Sequence, residues 1–249
     1  MLNILWRNIK WRFQNPLSIV VTILQPLIWL VMYSAVAGQA MKNMGISNYT
    51  AFILPGIIVL VTFSACSSGG IINFIMKSNG SFYRILIAPV KRSDVVLGQM
   101  MEAILVSLIE VAILFIISLL FSVRVASGFI GTLLMILLIF LTSFFMSGLA
   151  YFISLLLPNE VIYETIMNAI VLPIFFLSTA LFPPESISGG LAIAVNLNPF
   201  THIINSLRKL ILGGPLLLSD ILPVIILFAV MCCGSFMLAM WKLKKETVQ

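Results

Sequence analysis

Residues 131–145 read GTLLMILLIFLTSFF, a run without a single charge, in which apolar side chains occur on every side of the helix they would form. A half-buried strand would alternate polar and apolar positions, and a surface helix of a soluble protein would carry one polar face. Neither pattern is present. Hydrocarbon is the solvent that suits such a run, because there each backbone amide must be satisfied within its own segment, as a helix does. The stretch therefore predicts a transmembrane helix and an all-α integral membrane protein.

The rest of the chain agrees. Its 249 residues are 61% hydrophobic and 9% charged, with a mean hydropathy of +1.17, whereas soluble domains carry about 25% charged residues. A crossing takes about 20 apolar residues, roughly 30 Å. Six spans are predicted near residues 17–38, 51–74, 95–122, 129–157, 161–182 and 219–241. Little chain is left for a soluble domain, so 1–249 reads as one transmembrane domain.

Lys and Arg collect in cytoplasmic loops. With both termini inside, the inner segments hold Arg7, Lys10, Arg12, Lys77, Arg84, Lys91, Arg92, Lys242, Lys244 and Lys245, while the outer ones hold Lys42, Arg124, Arg208 and Lys209. The net charge of +6 is thus a topology signal, and no basic patch stands apart from a membrane boundary to bind nucleic acid. Residues 1–16, MLNILWRNIKWRFQNP, place Leu2, Leu5, Ile9 and Phe13 on one helical stripe, with Trp6 and the basic residues beside it. This predicts an amphipathic helix on the inner membrane surface, stopped at Pro16. Cys66, Cys232 and Cys233 all fall in apolar spans and offer neither a disulfide framework nor zinc spacing.

Catalytic motifs are absent. No paired glycine leads into the G-x-x-x-x-G-K-[ST] loop that cradles phosphates, and there is no G-x-S-x-G elbow, no H-E-x-x-H and only one histidine. The chain is expected to be no enzyme by itself and to hold neither a metal nor a cofactor. One polar island remains, NGSFYRILIAPVKRSD at 79–94, on the cytoplasmic side between spans two and three. Two helical turns fit it: Asn79 or Ser81 caps the start, Phe82, Ile85, Leu86 and Pro89 share one side, and Pro89 ends it. The apolar side would lie on lipid or dock into a groove of a partner.

Four stretches in order resemble the permease subunits of type-2 ABC transporters: YTAFILPGII at 49–58, FYRILIAPVKRSDVVLGQ at 82–99, FFLSTALFPPESIS at 175–188 and NPFTHIINSLRKLILGG at 198–214. The likeness is to the short drug-export and polysaccharide-export branches. It implies pairing with a second permease copy, in most cases an identical one, and with two ABC ATP-binding subunits on separate chains that carry the ATP and Mg. In such permeases the short helix before the proline seats in a cleft of the ATPase. The resemblance thus implies an ATPase-coupling contact at Ser81, Phe82, Tyr83, Arg84, Ile85, Leu86, Ala88 and Pro89. It also implies that 183–218, broken by Pro and Gly into two short apolar helices, is a re-entrant pair closing the path from outside.

Candidate path or gate residues are Glu110, Glu164, Phe175, Phe176, Phe182, Phe200 and His202. Glu110 falls deep in span three, where a carboxylate must face protein or water, or be protonated. Glu160 and Glu164 open span five, where negative charge favours the helix dipole. Arg208 and Lys209 are expected at lipid phosphates. Ser67, Ser68, Gly69, Gly70, Ser147, Gly148, Ala150 and Ser154 suit close helix packing. The function implied is export of a small amphiphilic drug, toxin or lipid-like substrate across a prokaryotic plasma membrane. Polysaccharide or glycolipid export, a proton-coupled transporter using Glu110, and a non-transporting scaffold are the alternatives.

Overall fold

In the computed structural model the described residues are 5–7, 9–10, 16–42, 48–87, 89–184, 188–214 and 218–246. Among them the regular elements are all helices: α1 (Pro16–Lys42), α2 (Tyr49–Ser78), α3 (Ser81–Ile87), α4 (Arg92–Leu119), α5 (Gly128–Leu156), α6 (Glu160–Phe176), α7 (Gly190–Leu197), α8 (Pro199–Leu212) and α9 (Leu218–Glu246). Residues 5–7 and 9–10 are helical as well. Four helices, spanning Tyr49–Ser78, Arg92–Leu119, Gly128–Leu156 and Ser219–Glu246, are long and apolar enough to cross a membrane. The chain is a multi-pass membrane protein.

The helix starts follow from short polar side chains that accept orphan backbone amides. Asn48 accepts from Ala51 N at 3.1 Å before α2, and Asn159 accepts from Ile162 N at 2.9 Å before α6. Asn198 accepts from Phe200 N at 3.0 Å before α8, which has proline in its first turn. Gly213, at φ +79°, ends α8 in the left-handed conformation, and its N–H returns to Lys209 O.

Burial ranks the helices. The apolar core of α2 is 83% buried, against 28% for the last helix, so α2 runs up the middle and α9 faces outward along much of its length. Helices α1, α4, α5, α6 and α8 all pack on α2, and α9 lies mainly along α5. Close approach depends on small residues. A Cβ on Gly70 would collide with the Tyr163 hydroxyl, and one on Gly148 would fall 2.6 Å from Ser235 Oγ.

One sequence expectation changes. The sequence predicts a fifth span over 161–182, yet α6 stops at Phe176 and residues 177–182 form turns and bends. The cause is local: Asn198 Nδ2 donates to both Ile174 O and Leu177 O at 2.7 Å, so the last carbonyls of α6 are capped by a side chain rather than by a further turn. The N-terminal stripe is seen in part. Leu5 and Ile9 are half-buried, Trp6 and Lys10 are exposed, and Arg7 Nη2 reaches Met76 Sδ at 3.6 Å, while Leu2 and Phe13 lie outside the described residues.

Candidate functional site

The polar island forms α3, seven residues long, whose inward face belongs to this chain's own core. Asn79 Oδ1 accepts from Ser81 N at 3.1 Å, and Gly80, at φ +74°, makes the turn out of α2. Phe82 and Ile85 are buried, 2% and 9% exposed, among Met76, Val96, Met100, Tyr151 and Leu243. They sink α3 into the apolar cluster where the ends of α2, α4, α5 and α9 meet, with α2 its main neighbour. Lys77 Nζ stands 5.4 Å from the centre of the Phe82 ring. The opposite face is bare: Tyr83 is 61% and Ile87 85% exposed, and Arg84 and Pro89 are exposed beside them. Ser81 is half-buried. The Leu86 side chain and Ala88 lie outside the described residues.

A cleft of about 320 Å³ opens between α1, α2 and α6, towards the α3 end of the molecule. Its wall mixes apolar side chains, Leu60, Phe63 and Leu172 among them, with Gln25, Ser64, Ser67, Ser68, Asn168 and Glu164. Tyr163 sits on the protein side of α6 and donates its hydroxyl to Ser67 O at 2.7 Å. That bond turns Glu164 and Asn168, the next residues around the helix, away from the core, and both are exposed.

At the other end of α2 the apolar stripe of α8, Phe200, Ile203, Ile204, Leu207 and Ile211, is buried. Phe200 is the centre of an aromatic cluster, 4.7 Å from Phe63 and 5.4 Å from Phe228 between ring centroids. Arg208 enters the core on the same helix, only 7% exposed. Its Nε donates to Phe52 O at 3.0 Å, Nη1 donates to Asn205 Oδ1 at 3.0 Å, and Nη2 donates to Thr179 O. The guanidinium lies 3.8 Å from the centre of the Phe52 ring. Oxygens and a ring face thus take the place of water around the charge. Thr179 Oγ1 closes the group through Asn205 Oδ1 at 2.7 Å. A second cleft, of about 640 Å³, lies beside it, with His202, Lys209 and Asp220 on its wall. Lys209 and Asp220 pair at 2.7 Å on the surface, and His202 Nε2 is 3.1 Å from Asn196 O.

Two acids of α4 are inside the subunit. Glu102 and Glu110 are both 0% exposed, and neither lines either cleft.

A model of the ABC-2 type transporter family matches residues 1–212. The chain belongs to that family. Similar proteins include a putative transport permease ycf38 of Cyanophora paradoxa, 26% identical over 201 residues, covering 79% of this chain and 69% of the relative. Another is the daunorubicin resistance ABC transporter permease protein DrrB1 of Streptomyces coeruleorubidus, 24% identical over 84% of this chain and 74% of its own length. Nodulation protein J of Rhizobium leguminosarum bv. trifolii is 25% identical over 84% of this chain and 80% of its own.

Within this ABC-2 chain the residues singled out from sequence are not brought together in one place. Tyr83 and Arg84 are on the bare face of α3 with Phe82 and Ile85 beneath it, and Pro89, expected on the same side as Phe82 and Ile85, is instead exposed past the end of the helix. Glu164 lines the cleft at the α3 end, and His202 lines the cleft at the α8 end. Phe175 and Phe200 are buried core residues, 2% exposed each, whereas Phe176 and Phe182 are each 51% exposed. Arg208 does not stand at the surface as expected; it ties α8 to α2. Sequence reading passed over Asn205 and Thr179, although Asn205 is three residues before Arg208 and so on the same helix face. Asn168, four residues after Glu164, carried the same signal.

Proposed function

We propose that this ABC-2 family member is the permease subunit of an ATP-driven exporter, working as a dimer of identical chains with ATP-binding subunits supplied separately. The termini and α3 face the cytoplasm of a prokaryotic cell, α1 and α6 join the four long helices as spans, and α7 and α8 re-enter from outside. The substrate is a small amphiphile.

The observation that carries the reading is the two-faced α3. One face is sunk in the apolar cluster where four span ends meet, and the other leaves Tyr83, Arg84 and Ile87 exposed. A rigid lever needs that division: a force applied to the outer face reaches the spans because Phe82 and Ile85 leave no slack. Hydrolysis by the partner would then move spans as rigid bodies between two states. Leaving an isoleucine in water forgoes about 1.5–3 kcal/mol that a partner's groove would return. The relatives named as permeases support the same role.

The test is purification of the tagged chain from its native membrane together with whatever ATP-hydrolysing subunit accompanies it, repeated with Tyr83→Asp and Ile87→Asp combined. Both side chains are exposed, so the variant is expected to fold and to lose the ATPase. A variant that keeps the full complement of ATPase would refute α3 as the coupling element.

A further inference from the structure

The cleft between α1, α2 and α6 has a composition that discriminates charge. Its apolar walls suit rings or alkyl groups, its hydroxyls and amides satisfy polar substituents, and Glu164 is its one ionisable group among the described lining residues. No Lys, Arg or His is among them, whereas the cleft at the α8 end carries Arg208 and Lys209. The volume of about 320 Å³ falls at the lower end of the usual range for small-molecule sites, roughly 300–1,000 Å³. Glu164 stands one turn inside the start of α6 and Leu172 eight residues further on, so the wall extends roughly 12 Å along the helix at about 1.5 Å per residue.

We infer that this cleft binds a lipophilic cation, with Glu164 as its counter-charge at the mouth and the walls formed by Leu60, Ile71 and Leu172 taking the apolar body. A carboxylate beside low-dielectric walls attracts a cation more strongly than it would in bulk water and repels an anion of the same shape. Tyr163 is the positioning residue: its hydroxyl on Ser67 O fixes the rotation of α6 that turns Glu164 and Asn168 into the cleft. The identification of this ligand as the transported substrate rests on the exporter reading above; the binding itself does not.

The test uses two ions of matched shape and opposite charge, tetraphenylphosphonium and tetraphenylborate. Binding of each to the full-length purified protein is measured by equilibrium dialysis in nanodiscs of zwitterionic phosphatidylcholine. Tetraphenylphosphonium should bind at least about tenfold more tightly than tetraphenylborate, and Glu164→Gln should weaken it by about tenfold or more while leaving tetraphenylborate unchanged or improved. Glu164→Asp should retain most of the affinity. Glu160→Gln, which removes an equal charge one turn away but outside the cleft wall, should bind as the native protein does. The inference is overturned if Glu164→Gln leaves tetraphenylphosphonium binding intact, if Glu160→Gln weakens it equally, or if Glu164→Gln lowers both ions together. Should no ATPase subunit accompany the chain, the exporter reading falls while a charge-selective result here still stands.

Discussion

Replacing Arg208 by Met keeps the length and apolar stem of the side chain and removes its charge and all its donors. Three hydrogen bonds from a cation disappear, each worth about 1.5–3 kcal/mol against solvent, together with stacking on Phe52 worth about 0.5–2 kcal/mol. Part of this is offset because a buried guanidinium no longer has to be desolvated. The carbonyls of Phe52 and Thr179 and the amide oxygen of Asn205 lose a donor in the core, and acceptors left short there cost about 1–3 kcal/mol each, which brings the net loss to about 3–5 kcal/mol. At about 2–4 °C per kcal/mol for a chain of this size, the melting temperature should fall by about 6–20 °C. Thermal unfolding in one detergent at one protein concentration measures it. Arg208→Lys should recover at most about half of the loss, because an ammonium cannot reach three acceptors as a planar fork does. A Met variant melting within about 2 °C of the native chain, or a Lys variant restoring the whole loss, would refute the reasoning.

Three further outcomes follow from the same packing. Gly70→Ala should destabilise strongly, since its Cβ meets the buried Tyr163 hydroxyl, and adding Tyr163→Leu should recover at least about 1 kcal/mol relative to the sum of the single variants; additivity in unfolding experiments would show that the contact is not tight. Phe200→Ala empties the centre of the aromatic cluster and should cost about 3–5 kcal/mol in the same assay, with a loss under about 1 kcal/mol contradicting its core position. Asn198→Ala removes the cap of α8 and the donor to two carbonyls at the end of α6, for about 2–3 kcal/mol; hydrogen exchange should rise first at Phe200 and at residues 174–178, and a uniform rise would contradict the capping role.

The apolar runs were readable because lipid demands them, and the short helix of 79–94 was readable because Asn79 and Pro89 bracket it. Its facing was not. An amphipathic stripe states that Phe82 and Ile85 will leave water, and it is silent on whether they enter a partner or the chain's own span ends; the three-dimensional gap between α2, α4, α5 and α9 decides that. Arg208 shows the opposite limit. A cation in an outer segment reads as a lipid-phosphate contact, and only the carbonyls of Phe52 and Thr179, far away in sequence, make burial affordable. Depth alone required Glu110 to face protein or water or be protonated, and it is fully buried, yet depth gave no sign that Glu164 rather than Glu110 would line a cleft. Similarly, Phe175 and Phe176 are adjacent and equally apolar, and one helical step of about 100° puts the first in the core and the second outside it.

The most direct test of the lever is a photocrosslinking amino acid placed in turn at positions 82, 83, 85 and 87 in the complex as isolated from membranes. Positions 83 and 87 should crosslink to an ATP-hydrolysing subunit, and positions 82 and 85 only to this chain's own α2, α4, α5 or α9. Crosslinks from 82 and 85 to that subunit, with 83 and 87 reaching only lipid, would contradict the account.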